Sequence, residues 1–369
     1  MFDCIIVGAG PAGSTAAYHL AKRGRSVLVL EKDSLPRYKP CSGGVSPAVA
    51  QWFDFDLTPT ISQTVSKIRY TWKREDPVEA QLEMPMWMVR RDVFDHYLIE
   101  QAQKTGAEVR DGTAVTSIKF QNGSWQVNTS SEPVVGRYLI AADGAFGPMA
   151  KWLGLKEPKR RQSFSLETSF TGKESANFDF GTIKPGYIWS FPKAGGSSFS
   201  IATFRDEVKN LKNSLADYAT QCGVDVKNSQ IYEHAMCLWD GDRKLHAQNA
   251  LLTGDAANLT DPLLGEGIRP AILSGVKAAE AIHKALDGVG DALEKYTQAM
   301  SEEWGVDMVW AGRLSGVFYR FPGVAYKAAV KLPIATELMA KILCGQLHYA
   351  DVANRAMQRL TGSFFTGRG

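Results

Sequence analysis

The stretch from Asp3 to Gly13 restricts this chain more than any other. Ile5, Ile6 and Val7 form an unbroken apolar run, as in a strand buried on both faces. The run ends at Gly8-Ala9-Gly10-Pro11-Ala12-Gly13, and a helical pattern follows from Pro11 to about Lys22. After Gly24, Ser26-Val27-Leu28-Val29-Leu30 reads as a second buried strand, with Glu31 at its carboxyl end. Strand, G-x-G-x-x-G turn, helix, strand and acid, in that order, predict a dinucleotide-binding unit. Gly8 permits the tight turn and Gly10 lets backbone approach a pyrophosphate. Gly13 allows the helix to pack closely on the strand. The free N–H groups and the positive end of the helix favour phosphate charge, and Glu31 can accept from ribose hydroxyls.

Composition limits what the rest can be. With 369 residues, 44% hydrophobic and 22% charged, the chain can bury a large core and is expected to form two domains. A net charge of only +3 gives no basis for nucleic-acid binding. Cys4, Cys41, Cys222, Cys237 and Cys344 are scattered, odd in number, and without a C-x-x-C pair or metal-ligand spacing. They suit a reduced, cytoplasmic setting. The fingerprint begins at residue 3, so no signal peptide is expected. No apolar run reaches the roughly 18 residues of a membrane span.

After Glu31, the prolines and glycines between Ser34 and Ser46 predict a shaped loop. It would bring Arg37, Lys39 and Cys41 to the carboxyl edge of the sheet, where ligands of open α/β sheets sit. Cys41 is either a small buried residue or, with basic neighbours lowering its pKa, a functional thiol. Residues 65–89 read as strands. A helix then opens near Arg90-Arg91, with Asp92 as its expected N-cap, and runs to about Lys104. Arg90 and Arg91 are solvated charges there unless one of them faces a cofactor phosphate. Further strands end in Ala141-Ala142-Asp143-Gly144. From Ser163 to Phe204, alternating aromatic, β-branched and polar residues predict a largely antiparallel sheet. Tyr187, Trp189 and Phe191 fall at period two and share one face, either as sheet core or as an apolar wall for a ligand. Residues 211–221 look helical. Ala250 to Thr253 is a short buried strand leading into Gly254-Asp255, and Gly265 and Gly267 precede a helix to about Leu286. Residues 291–369 read as a helical layer rich in aromatics, Lys and Arg. Such a layer covers a core or lies on a membrane surface.

These pieces together resemble the geranylgeranyl reductase family, flavoproteins with the p-hydroxybenzoate hydroxylase-like fold. The resemblance runs through Gly8 to Gly13 with Glu31, Pro36-Arg37-Tyr38-Lys39-Pro40-Cys41-Ser42-Gly43-Gly44, Arg91 to Asp95, Asp143-Gly144, Tyr187 to Pro192, and Gly254-Asp255 through Gly265-Glu266-Gly267-Ile268. One departure is Ser42, where the family usually has glycine. The nucleotide, Asp-Gly and Gly-Asp signals are shared with flavin hydroxylases and halogenases. The thiol loop and the Tyr-x-Trp-x-Phe-Pro strand are the narrower pointers.

The resemblance implies an α/β fold. A Rossmann-like FAD-binding domain would span 1–65, 90–162 and 245–290, and a mostly antiparallel substrate domain 66–89 and 163–244. Residues 291–369 would form a C-terminal helical region. FAD contacts would come from Gly8, Gly10, Pro11, Ala12, Gly13, Glu31, Lys32, Arg37, Cys41, Ser42, Gly43, Arg91, Asp143, Gly254, Asp255, Pro262, Gly265, Gly267 and Ile268. Cys41, Tyr187 and Trp189 would be catalytic, and Tyr187, Trp189 and Phe191 would line a channel for an isoprenoid or lipid substrate. No second G-x-G-x-x-G occurs, so NADPH or a ferredoxin-like donor would dock transiently. Two other functions stand beside this one. A flavin monooxygenase or halogenase would share the scaffold, although Tyr187 and Phe191 replace the first Trp and the Ile of a halogenase W-x-W-x-I-P segment. A non-catalytic flavoprotein binding a lipid or partner would keep the cofactor without the reaction. A peripheral membrane association accompanies the first reading.

Overall fold

The computed structural model describes residues 1–169, 175–204 and 208–354. In chain order the first half comprises β1 (Phe2–Val7), α1 (Pro11–Lys22), β2 (Val27–Leu30), β3 (Gly44–Val45), β4 (Ile61–Trp72), β5 (Glu75–Val89), α2 (Arg91–Lys104), β6 (Glu108–Arg110), β7 (Val115–Gln121), β8 (Ser124–Thr129), β9 (Val134–Ala141), α3 (Met149–Trp152) and β10 (Arg160–Thr168). The rest comprises β11 (Ala176–Phe180), β12 (Gly186–Lys193), β13 (Gly196–Thr203), α4 (Leu211–Gln221), β14 (Gln230–Cys237), β15 (His246–Ala247), β16 (Ala250–Leu252), α5 (Ile268–Leu286), α6 (Ala292–Met300), α7 (Val306–Arg320), α8 (Pro322–Ala325) and α9 (Pro333–Leu343).

The apolar runs of β1, β2, β9 and β16 form the centre of a first sheet because each is covered on both faces, as parallel strands require. The order is β15-β16-β9-β1-β2-β6, with the β7–β8 hairpin continuing from β9. Register decides the site. Val7 lies opposite both Leu30 and Ala141, and Ala141 lies opposite Leu252. The residues that follow these four therefore arrive at one edge: Gly8, Glu31, Ala142-Asp143 and Thr253-Gly254. Helix α1 packs against α2 and α5. The approach to α5 is close enough that a Cβ on Gly275 would lie 2.4 Å from the Ala12 carbonyl.

The second sheet runs β14-β10-β13-β12-β11-β4-β5-β3 and is antiparallel except where β11 runs parallel to β4. Its alternation separates two faces. Ile188 and Ile201 pack with Leu211, Leu215 and Ala219 of α4, while Tyr187 and Phe191 point the other way. The helices after α5 are fastened by the polar tips of buried aromatics. The Tyr296 hydroxyl donates to Leu252 O (2.7 Å), Trp304 Nε1 to Leu259 O (2.8 Å), Tyr319 to Leu263 O (3.0 Å) and Tyr349 to Asp261 Oδ2 (2.8 Å). This is the helical layer expected from the sequence; its last part, 355–369, lies outside the described residues. Among the described residues, no helix is long and apolar enough to cross a membrane.

One sequence expectation is corrected. Asp92 does not cap α2. Arg90 is the extended residue before the helix, and no side chain caps it. Asp92 sits in the first turn, where its carboxylate complements the positive helix end and pairs with Arg90.

Candidate active site

A cavity of about 460 Å³ runs from the carboxyl edge of the first sheet to the aromatic face of the second. At its polar end, the turn after β1 is shaped by atoms that leave no room for side chains. Gly8 has φ +105°, and a Cβ there would lie 2.3 Å from Ala142 O. A Cβ on Gly13 would lie 1.9 Å from Gly8 O. Glu31 is only 4% exposed; its Oε2 accepts from the Ala9 N–H (2.8 Å) and its Oε1 from Asp33 N (3.2 Å). Arg37 Nε lies 3.3 Å from Glu31 Oε2. Asp95, 1% exposed, takes two hydrogen bonds from Arg91 (2.6 and 2.7 Å) and one from Arg37 (3.3 Å), so one buried carboxylate holds both guanidinium groups. Asp143 Oδ2 accepts from Met149 N (2.9 Å), whereas its Oδ1 is buried without a partner. Burial raises this carboxyl to about 6, opposed by backbone donors.

The loop before α5 is organised by Asp261. Its Oδ1 accepts from Leu263 N (2.7 Å) and Leu264 N (2.9 Å), and Tyr187 donates to Leu264 O (2.7 Å). The loop thereby carries Gly265, with φ +69°, and Gly267 to the helix start. Asp255 Oδ1 accepts from Thr260 Oγ1 (3.0 Å). Lys39 is half-buried; desolvation pushes its ammonium down and the Asp255 carboxylate opposes this. His234 is pushed down to about 3, first by burial and then by Lys39 and Arg91, and is neutral at physiological pH.

At the far end, the thiol loop is tied to the second sheet. Trp189 Nε1 donates to Ser42 Oγ (2.5 Å), which shares a further hydrogen bond with Ser200 Oγ (2.9 Å). Ser42, the departure from the family's usual glycine, thus provides the acceptor for the indole. Lys193 Nζ donates to Cys41 O (2.7 Å) and pairs with Glu167 (2.9 Å). Gly44 is needed because a Cβ there would lie 2.6 Å from the Phe191 ring. Tyr187 and Trp189 lie 5.3 Å apart, and Phe178 meets Tyr187 at 5.7 Å and Phe191 at 5.5 Å.

The cavity brings together nearly all of the residues singled out from the sequence: Gly8, Gly10, Pro11, Ala12, Glu31, Lys32, Arg37, Cys41, Ser42, Gly43, Arg91, Asp143, Tyr187, Trp189, Phe191, Gly254, Asp255, Gly265, Gly267 and Ile268. Gly13 and Pro262 are not in its lining. Gly13 acts through close packing behind the turn, and Pro262 faces Gly312 of α7. Arg90 is half exposed and paired with Asp92, whereas Arg91 faces the cavity. Sequence reasoning missed His234, Met86 and Phe178. The signal for His234 was the period-two set Tyr232, His234, Met236 in β14.

The polar end fits an FAD nucleotide. It combines a cradle closed to side chains, an acid at the second strand, two anchored guanidinium groups and a buried carboxylate oxygen without a donor. Comparison with known proteins agrees. Residues 1–179 match the FAD binding domain model. An uncharacterized protein of Methanosarcina barkeri is 34% identical over 293 residues, covering 77% of this chain and 75% of that one. The digeranylgeranylglycerophospholipid reductase of Thermoplasma acidophilum is 28% identical over 335 residues, covering 82% and 84%. The crystal structure of a geranylgeranyl bacteriochlorophyll reductase-like protein from Thermoplasma acidophilum superposes with TM-score 0.79 at 25% identity, over 86% of this chain and 87% of that one. Flavin-dependent halogenases share the fold as well. The nucleotide cradle, the aromatic strand and these relatives agree: the chain belongs to the geranylgeranyl reductase family of FAD-dependent oxidoreductases.

Proposed function

We propose that this protein reduces carbon–carbon double bonds of an isoprenoid chain. The supporting observation is that the Cys41 loop and the aromatic face of β12 line the same cavity as the dinucleotide turn. The relatives named as reductases of geranylgeranyl lipids support the same substrate class. The Gly8–Gly10 turn and the N–H groups opening α1 would hold the pyrophosphate charge. Glu31 would hold the adenosine ribose. Arg37, Arg91, Asp143 and Asp255 would face the phosphate and ribitol region, and the positive end of α5 at Gly267-Ile268 would face the flavin edge.

When bound, FAD supplies the hydride that an isolated alkene requires. The chain's own residues do the rest. Tyr187, Trp189, Phe191 and Phe178 present an apolar wall that holds a prenyl chain and excludes water. The Cys41 Sγ, which lines the cavity and accepts from the Gly43 N–H (3.4 Å), gives the proton to the second alkene carbon. The Trp189–Ser42 and Lys193–Cys41 hydrogen bonds hold that thiol in register with the wall. The electron donor, NADPH or ferredoxin, docks transiently.

The test is anaerobic. The purified protein is photoreduced and mixed with a geranylgeranylated lipid. Reoxidation with a product heavier by two hydrogens is the expected result. Reoxidation only on admission of oxygen, with an oxygenated product, would replace this reading with a monooxygenase.

A further inference from the structure

The C-terminal helices have an inner and an outer face, and among the described residues the outer face lacks a partner. On the inner side, Tyr319 stacks on Phe204 (5.0 Å), which stacks on Tyr187 of the cavity wall (4.9 Å). On the outer side, Val306, Val309 and Val317 share one face of α7, and Phe321 and Val324 follow where the helix breaks at Phe321 and resumes as α8. Val317, Phe321 and Val324 are 65%, 56% and 68% exposed. Leu332 and Ile334 extend the exposed row. Single exposed apolar residues need no explanation, but a continuous row does.

The charge carried by the segment that holds Val309 to Ile334 is of one sign. Between Met308 and Thr336 the charged residues are Arg313, Arg320, Lys327 and Lys331, and no Asp or Glu occurs. Lys331 also pairs with Asp76 from outside the segment (2.7 Å). The Arg313 guanidinium lies 4.6 Å over the Trp310 ring and that of Arg320 lies 5.5 Å over Phe321. Arginine stems lying along apolar rings, with cationic heads beside them, match a water–lipid boundary. A second copy of the chain fits this face poorly, because twofold pairing would set Arg313 and Arg320 against their own images.

We infer that this face docks on an anionic lipid bilayer, with Val317, Phe321 and Val324 entering the acyl boundary and the Arg and Lys heads meeting phosphate headgroups. The Tyr319–Phe204–Tyr187 stack links the helix that carries this face to the cavity wall. The inference stands on the surface itself and does not depend on which substrate the cavity takes.

Co-sedimentation of the FAD-loaded full chain with phosphatidylcholine vesicles, with or without phosphatidylglycerol, tests it. The protein is expected to bind the phosphatidylglycerol vesicles more tightly and to lose that preference in high salt. Arg313→Gln with Arg320→Gln should weaken binding roughly 30-fold, at about fivefold per cation. Val317→Ser with Phe321→Ser should weaken it on both vesicle types, with flavin content and melting temperature unchanged. Equal binding to the two vesicle types, or variants that bind as the parent does, would overturn the inference. So would a dimer in sedimentation equilibrium that Val317→Ser with Phe321→Ser dissociates.

Discussion

The two ends of the cavity are built by opposite means. At the nucleotide end the turn that the charged side chains surround is backbone packed on backbone. Gly8, Gly10 and Gly13 lie within one turn, and the register of β1, β2, β9 and β16 brings four strand ends to one edge. At the thiol end the surface is side chain. Cys41 and Ser42 come from a loop, Trp189 from β12, Phe178 from β11 and His234 from β14, all distant in sequence. The difference teaches where each property is encoded. The shape of the turn rests on close approach at Gly8 and Gly13, where no added atom fits. Reaction and substrate choice rest on replaceable side chains, so one fold can serve reductases and halogenases alike.

That contrast can be broken first at Gly13. A Cβ there would sit 1.9 Å from Gly8 O, so Gly13→Val should abolish flavin binding and lower stability by about 3 kcal/mol in urea unfolding. Gly24 has φ +75° with nothing within 4 Å of an added Cβ, so Gly24→Ala should cost only about 1 kcal/mol and keep the flavin. At the opposite end, Cys41→Ala should leave flavin content unchanged while slowing alkene reduction on the order of 100-fold in single-turnover kinetics. Unchanged turnover would remove the thiol from the reaction.

A third prediction separates the ends by pH. Burial raises Asp143 to about 6 in the chain without FAD. A hydroxyl of bound FAD donating to its unpartnered Oδ1 would favour the carboxylate and lower that pKa in the complex. Affinity from this group is therefore complete above about 6 and falls as pH drops through it, by up to about tenfold per pH unit. Titrating FAD between neutral and acidic pH checks this, and Asp143→Asn should flatten the profile. The smallest effect concerns the loop anchor. Ser42→Ala leaves the Trp189 indole N–H without its acceptor and should cost about 1–2 kcal/mol of transition-state stabilisation, whereas Trp189→Phe removes donor and need together and should cost less. A double-mutant cycle on alkene reduction measures the coupling.

The same contrast explains what could be read from the chain alone. The first sheet was legible because its decisive signals are local. An apolar strand, a glycine turn, a helix and an acid occur in 31 residues, and the structure puts Gly8 and Glu31 at the strand ends as the pattern requires. The shared face of Tyr187, Trp189 and Phe191 was legible from period two. The strand order of the second sheet was not, because β11 pairs with β4 across everything from β5 to β10, and no periodicity encodes such a partner. Nor was the buried Asp95 that grips Arg37 and Arg91, since an i, i+4 pair on a helix looks the same whether it faces water or a cavity. The N-cap at Asp92 failed because the capping rule fixes a residue type and not a position, and the chain turns helical at Arg91.

The central claim is that FAD occupies a single cavity whose far end is the Cys41 loop. Thiol alkylation followed by mass spectrometry of the chain with and without FAD tests this most directly. Cys4, Cys237 and Cys344 are buried, while Cys41 and Cys222 are half-buried; Cys222 follows α4, away from the cavity, and serves as the internal reference. The account predicts that FAD protects Cys41 and leaves the labelling of Cys222 unchanged. Equal modification of Cys41 in the two states would contradict it.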